Sequence, residues 1–245
     1  MEHHPVLAAQ PALDEPRPEP VAVCAPTAQA RTPAGGTAVL LIDLQVDFLD
    51  SEHGRMPVSA AAAQRIVAAA NRVLDGEVLP AALPVLIVNR FPAGSILGNL
   101  LRRGAAVAGS PGSRMDPRIA TRPGVRLFAK QRANAFSNAE LERYLRNAGV
   151  GKVWIVGVMS EACVRCTAVA ARRLGFEVVV AEEGIATNAS WKGRLATWLL
   201  RRSGVAVVPA LPAAIPAEAL PTATAHERSG RIDRHCAGPS AAGLR

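Results

Sequence analysis

Aromatic side chains are scarce in this chain: Phe, Trp and Tyr together make up 4% of its 245 residues, and tyrosine occurs once. A core of that composition must be built from Ala, Val, Leu and Ile, and no series of rings is on hand for stacking on single-stranded nucleic acid. Long apolar runs are missing as well. The longest, such as Ala38 to Ile42, extend five or six residues, against roughly 20 for a membrane-crossing helix, so no transmembrane segment is expected. A signal peptide is not expected either, because Glu2 stands where basic residues would and prolines at 5, 11, 16, 18, 20 and 26 interrupt the start of the chain. Four cysteines, with Cys24 and Cys236 in the terminal stretches, are too few for a disulfide framework and suit a reducing, cytoplasmic setting. Histidine is sparse too: between residues 37 and 210 there is only His53. That leaves no spaced ligand set for zinc or iron, and neither metal nor cofactor is expected.

What the chain has in quantity is arginine. Lys and Arg number 28 against 20 acids, a net charge of +8, and only three of those cations are lysines. The excess falls in the middle of the chain, where arginines are scattered instead of massed. This describes a basic solvated surface and not a nucleic-acid footprint, and the expected partner is a small molecule.

Residues 1–36 and 211–245 are rich in Pro, Ala, Gly and Ser and show neither a 3.6 nor a 2.0 periodicity, the composition of disordered tails. One domain, residues 37–210, lies between them. In it, short apolar runs (Ala38–Ile42, Val85–Val88, Val153–Val156, Val178–Val180, Val205–Val208) alternate with helical patterns at Ser59–Leu74, Asn138–Ala148, Glu161–Leu174 and Asn188–Ser203. Uniformly apolar strands separated by helices predict a doubly wound, Rossmann-like α/β fold with a parallel sheet covered on both faces. Ser137 with Glu140 has the spacing of a capping box. Residues 91–126, rich in Gly and Pro with a short helix at Ile96–Arg103, follow the second strand and are expected to cover the crevice where such folds bind ligands.

Three strand ends carry reactive groups. Asp43 follows Ile42, at an edge where partial desolvation can tune a carboxylate; it could equally be a cap. Lys130 ends the strand-like run Val125–Ala129 and supplies a compact ammonium in a chain that otherwise uses arginine; its stem could equally snorkel to solvent. Cys163 follows the run Val153–Val156 and a turn. With Ser160 as N-cap it would occupy the third position of a helix, where unpaired amides favour a thiolate, although a small buried cysteine would also fit there. Cys166 completes a CxxC pair with Cys163, which keeps a thiol-disulfide oxidoreductase among the readings.

Taken together, these segments resemble the isochorismatase-like cysteine hydrolases, a family that includes nicotinamidases, carbamoylsarcosine amidohydrolases and ureidoacrylate amidohydrolases. Asp43-Leu44-Gln45-Val46-Asp47-Phe48 is similar to the opening DxQxDF motif. Lys130 with Ala135-Phe136 and Leu141 is similar to a second segment. Gly157-Val158-Met159-Ser160-Glu161-Ala162-Cys163-Val164, continuing through Thr167-Ala168 and Gly175-Phe176-Glu177-Val178, is similar to the segment around the nucleophile. The resemblance implies a six-stranded parallel sheet, an Asp43-Lys130-Cys163 catalytic triad, a cis peptide before Met159, an oxyanion hole from the Met159 and Cys163 amides, and Phe48 in the substrate pocket. Relatives of this kind are often homodimers or homotetramers.

The departures narrow the reading. Nicotinamidases place an Asp-x-His motif and a further His around a metal, whereas here the second strand continues Asn89-Arg90-Phe91-Pro92. True isochorismatases lack the cysteine, so Cys163 favours acyl chemistry. The expected function is hydrolysis of a C–N bond in a small amide, carbamoyl or ureido compound through a thioester. The competing readings are the oxidoreductase and a catalytically idle binding protein on the same scaffold. Arg90, one residue beyond the second strand, is the candidate anchor for a substrate carboxylate.

Overall fold

The computed structural model describes residues 35–213. The expected terminal tails otherwise lie outside the described residues. The domain reaches slightly further than its expected limits: Gly36 already belongs to the first strand, Leu211 is buried and its N–H donates to Glu183 Oε1 at 2.8 Å, and Ala213 bridges Val78.

Six strands form one wholly parallel sheet: β1 (Gly36–Ile42), β2 (Leu83–Asn89), β3 (Arg126–Lys130), β4 (Val150–Val158), β5 (Glu177–Ala186) and β6 (Ala206–Val208), in the order β3-β2-β1-β4-β5-β6. This is the doubly wound arrangement in which the chain leaves β1 toward one edge and later returns to start the other half at β4. The crevice at such a reversal lies outside the carboxyl ends of β1 and β4.

Alternation along each strand divides the core in two. Val39, Leu41, Trp154, Val156 and Val179 face one side, where α2 (Ala60–Leu74) lays down Ala63, Ile66, Ala70 and Val73. Leu40, Ile42, Val85, Ile87, Ile155 and Val180 face the other, covered by Leu141 and Leu145 of α4 (Ala139–Asn147), Ala168 and Ala171 of α5 (Arg165–Arg173) and Leu200 of α6 (Ser190–Arg202). Two short helices complete the set: α1 (Val46–Leu49) after β1 and α3 (Ile96–Leu101) after β2. Among the described residues, no helix is long and apolar enough to cross a membrane.

Two local expectations differ from what forms. The cap of α4 is Asn138, whose side chain accepts from the Glu140 N–H at 3.0 Å; the Ser137 hydroxyl donates instead to Asn134 O at 2.7 Å. A one-turn 3₁₀ segment over Ala135–Ser137 shifts the helix start by one residue and removes the capping box. At the second site, the turn after β4 is a π-helical turn over Ser160–Val164 with Met159 at its N-cap. Here the Ala162 N–H bonds Met159 O at 3.0 Å, so Ser160 does not cap the helix and Cys163 is the fourth residue of the turn.

Gly157 makes that turn fit. It sits at φ 142°, and a Cβ there would stand 2.1 Å from Ile42 O, so β4 can press its end against β1 only with no side chain between them. Gly157→Ala is expected to lower the urea-unfolding free energy by about 3 kcal/mol or more. Gly94→Ala, which meets nothing within 4 Å, should stay near wild type.

Candidate active site

Three adjacent strand ends build the polar centre. Asp43 leaves β1 in the left-handed conformation, φ 57°, with its N–H on Ile87 O at 2.8 Å. Asn89 is the last residue of β2 and pairs in register with Lys130, the last residue of β3. Lys130 Nζ donates to Asp43 Oδ2 at 3.0 Å and to Asn89 Oδ1 at 2.6 Å. Asn89 Nδ2 donates to the same Asp43 oxygen at 2.7 Å and to Cys163 Sγ at 3.7 Å. Asp43, Asn89 and Lys130 are each at most 2% exposed, while Cys163 is partly buried. Asp43, Lys130 and Cys163 are thus brought together, with Asn89 bridging all three.

The protonation of these groups follows from burial and mutual charge. Burial raises Asp43 above the ordinary carboxylate value, against the pull of Lys130 and of the hydrogen bonds from its neighbours. Burial alone would depress Lys130, but the negative charges of Asp43 and Cys163 outweigh it and hold the ammonium above its usual value. Burial, with Asp43 beside it, pushes the Cys163 thiol up to about 12. This reverses the expectation that amides at a helix start hold Cys163 as a thiolate: the sulfur is desolvated and faces a carboxylate, and both effects favour the thiol. The proton therefore needs an acceptor, and Asp43 Oδ1 is buried with no hydrogen-bond partner among the described residues.

The remaining candidates divide. The Val158–Met159 peptide is cis, as the resemblance implied, and Met159 is buried at the N-cap of the turn that carries Cys163. Phe48 is buried in the same apolar cluster as Phe91 and Met159. Arg90 does not join the site: its side chain is exposed, and its backbone N–H holds Lys130 O at 2.8 Å. Strand alternation explains this, because Asn89 takes the inward position and turns its neighbour away. Cys166 opens α5 as a free thiol and is not among the polar contacts of the centre.

Sequence reasoning missed Asn89, Gln45 and Asp47 as working residues. Gln45 is fully buried; its amide donates to Asn89 O at 2.9 Å and Ser113 O at 2.7 Å, and its carbonyl accepts from the Asn89 N–H at 2.8 Å. Asp47 accepts from the Ala106 N–H at 2.7 Å and the Arg55 N–H at 3.3 Å. Both tie the segment after β2 down onto the end of β1. Their signal in the sequence is the spacing Asp43-Leu44-Gln45-Val46-Asp47, a motif that does not by itself assign each residue a role.

The isochorismatase domain model matches residues 37–210. The chain belongs to the isochorismatase-like hydrolase family. Within this family it is 30% identical to a streptothricin hydrolase of Streptomyces noursei over 207 residues, 78% of this chain and 68% of that one. It is 37% identical to an isochorismatase family protein of Bacillus subtilis over 65 residues, which span 26% of this chain and only 36% of that relative. Solved folds of the same kind include an isochorismatase-like hydrolase from Alkaliphilus metalliredigens (TM-score 0.64, 22% identity, 71% of this chain and 94% of that one). They also include a pyrazinamidase of Pyrococcus horikoshii in complex with zinc (0.61, 24%, 70% and 98%) and an N-carbamoylsarcosine amidase from Thermoplasma acidophilum (0.59, 21%, 71% and 95%). The donor set of this family member does not fit a metal of that kind: Asn89-Arg90-Phe91-Pro92 supplies neither carboxylate nor imidazole at the end of β2. Among the described residues, no group of three or more His, Cys, Asp or Glu could hold an ion.

Because Asn89 satisfies a buried cation and a buried anion at once, Asn89→Leu is expected to cost about 2–3 kcal/mol in urea unfolding. Arg90→Leu, which removes an exposed side chain, should cost less than about 0.5 kcal/mol.

Proposed function

We propose that this chain is a cysteine amidohydrolase that cleaves a C–N bond of a small amide, carbamoyl or ureido compound through a thioester. The observation that carries the reading is the division of labour on one carboxylate: Oδ2 is held by Lys130 and Asn89, while Oδ1, which meets no other donor among the described residues, is left to the protonated thiol of Cys163. In this reading Asp43 accepts the Cys163 proton and the sulfur attacks the substrate carbonyl carbon. The oxygen that becomes negative is received by the N–H groups of Met159 and Cys163. Asp43 returns the proton to the departing nitrogen, the C–N bond breaks, and ammonia or an amine leaves. Water then adds to the thioester, giving one proton to Asp43, and collapse frees the acid and restores the thiol. Lys130 keeps Asp43 ionised between steps. The similar proteins, a streptothricin hydrolase, a pyrazinamidase and an N-carbamoylsarcosine amidase, support a reading as C–N hydrolysis. An oxidoreductase using Cys163 and Cys166 would leave the Asp43–Lys130 pair without a task, and so would an idle binding protein.

A panel of small amides, carbamoyl and ureido compounds tests the proposal. Cys163→Ser should lower kcat/KM about 1,000-fold or more with an unchanged fold by circular dichroism, and Cys166→Ala should stay within about threefold of wild type. Activity that survives Cys163→Ser but not Cys166→Ala would overturn the assignment.

The pH profile follows from the direction of the shifts. Asp43 must be ionised to accept a proton, so kcat/KM rises with pH as Asp43 loses its own. Burial raises Asp43, which places that acid limb above 3.8, the ordinary carboxylate value. Lys130 is raised too, so loss of its charge lowers activity only above 10.5. An acid limb at or below 3.8 would remove Asp43 as the base.

A further inference from the structure

The segment after β2 carries a cation for which the triad chemistry has no use. Arg102 caps the C-terminus of α3. Its guanidinium lies over the ring of Phe91, 3.7 Å from the centroid, and one terminal nitrogen donates to Asn99 Oδ1 at 3.0 Å. Phe91 is a firm floor for it: the ring is buried, the Phe91 N–H bonds Ala106 O at 2.9 Å, and Phe91 O accepts from Ala108 at 2.9 Å. Phe91 stands two residues beyond Asn89, so the cation is held next to the polar centre. Burial lowers the Arg102 guanidinium, and the charge that Cys163 carries when ionised opposes that lowering.

Among the described residues, Arg102 has no acidic partner. The ion pairs among the described residues join other arginines to Asp and Glu, while Asp43 is already matched by Lys130. The Arg102 Nε is buried and meets no acceptor among the described residues. A half-buried guanidinium with an unused inner donor is unfavourable until an anion meets it, and stacking on an aromatic face presents a planar fork to such a group.

We propose that Arg102 anchors a carboxylate, or a small anion of like shape, on the substrate, so that the compound cleaved at Cys163 is negatively charged. This rests on Cys163 being the nucleophile, and it moves the anchoring role from Arg90 to a residue that reaches the site through α3. Arg102 fixes which substrates are accepted and takes no part in proton transfer.

Alkylation of Cys163 by iodoacetate and by iodoacetamide, two electrophiles of similar size that differ by one negative charge, tests the anchor without a known substrate. Trypsin cuts after Arg165, so Cys163 and Cys166 fall in separate peptides and mass spectrometry follows each thiol, with Cys166 as the internal reference. Arg102→Gln should lower the iodoacetate-to-iodoacetamide rate ratio at Cys163 about tenfold. Arg102→Lys should keep part of the preference, Arg90→Gln should leave it unchanged, and the ratio at Cys166 should not move. An unchanged ratio at Cys163 in Arg102→Gln overturns the anchor, and so does an equal slowing by both reagents, which would assign Arg102 to the sulfur itself. Hydrolysis is scored separately on the amide panel. A charge-selective Cys163 in a protein that cleaves no amide would sink the amidohydrolase reading and leave the anion site standing.

Discussion

Lys130 and Asp43 form an ion pair from which water is almost wholly excluded, and the top of the sheet is organised around the need to satisfy it. Taking two charges out of water costs several kcal/mol per ion unless geometry and further hydrogen bonds return it. Here they come from one neutral side chain, Asn89, which offers its carbonyl to the ammonium and its amide to the carboxylate. The sheet order makes this economical: β2 lies between β1 and β3, so its last residue falls midway between the two charges. A pair this dry adds little to stability compared with a well-packed apolar substitute. Its value is that it holds one carboxylate oxygen fixed while leaving the other unmatched.

The segment after β2 is held to that centre by the neighbours of Asp43. Gln45 bonds both the backbone of Asn89 and the loop at Ser113, and Asp47 fixes Ala106. Further along, the Asp116 N–H reaches Leu44 O at 2.9 Å. One short stretch following β1 therefore fixes the charges and also the segment that roofs them. The same stretch sets where Phe91 and Arg102 stand relative to Cys163.

Much of this was legible in the sequence, and the reasons differ by element. Apolar runs such as Ala38–Ile42 gave the strands because both faces of the sheet are covered, so no polar alternation interrupts them. β5 is the instructive exception: it continues through Glu182, Glu183 and Gly184 to Ala186, where pairing with β4 and hydrogen bonds from Arg65 to the carbonyls of Glu182, Glu183 and Ile185 outweigh local composition. Asp43, Lys130 and Cys163 could be singled out because each ends a strand or follows one with a reactive group. Asn89 carries no such mark, since an amide at a strand end looks like any terminator until the charges on either side are known. The protonation of Cys163 escapes the sequence for a related reason: helix-start amides are visible there, but burial and the charge of Asp43, remote along the chain, are not. Arg90 and Arg102 show the limit of proximity along the chain, because one residue of strand alternation turned the nearer arginine outward while a helical excursion returned the farther one.

Lys130 and Asp43 are sealed to within 2% of full burial, whereas Cys163 is partly open, so the thiol is the member of the triad that an incoming molecule meets first. Recognition and acid–base chemistry are thereby assigned to different walls of the same crevice. In this reading a change in the covering segment between β2 and β3 alters which acyl groups are admitted, while the three strand ends beneath it keep the electrostatic setting of the proton transfers.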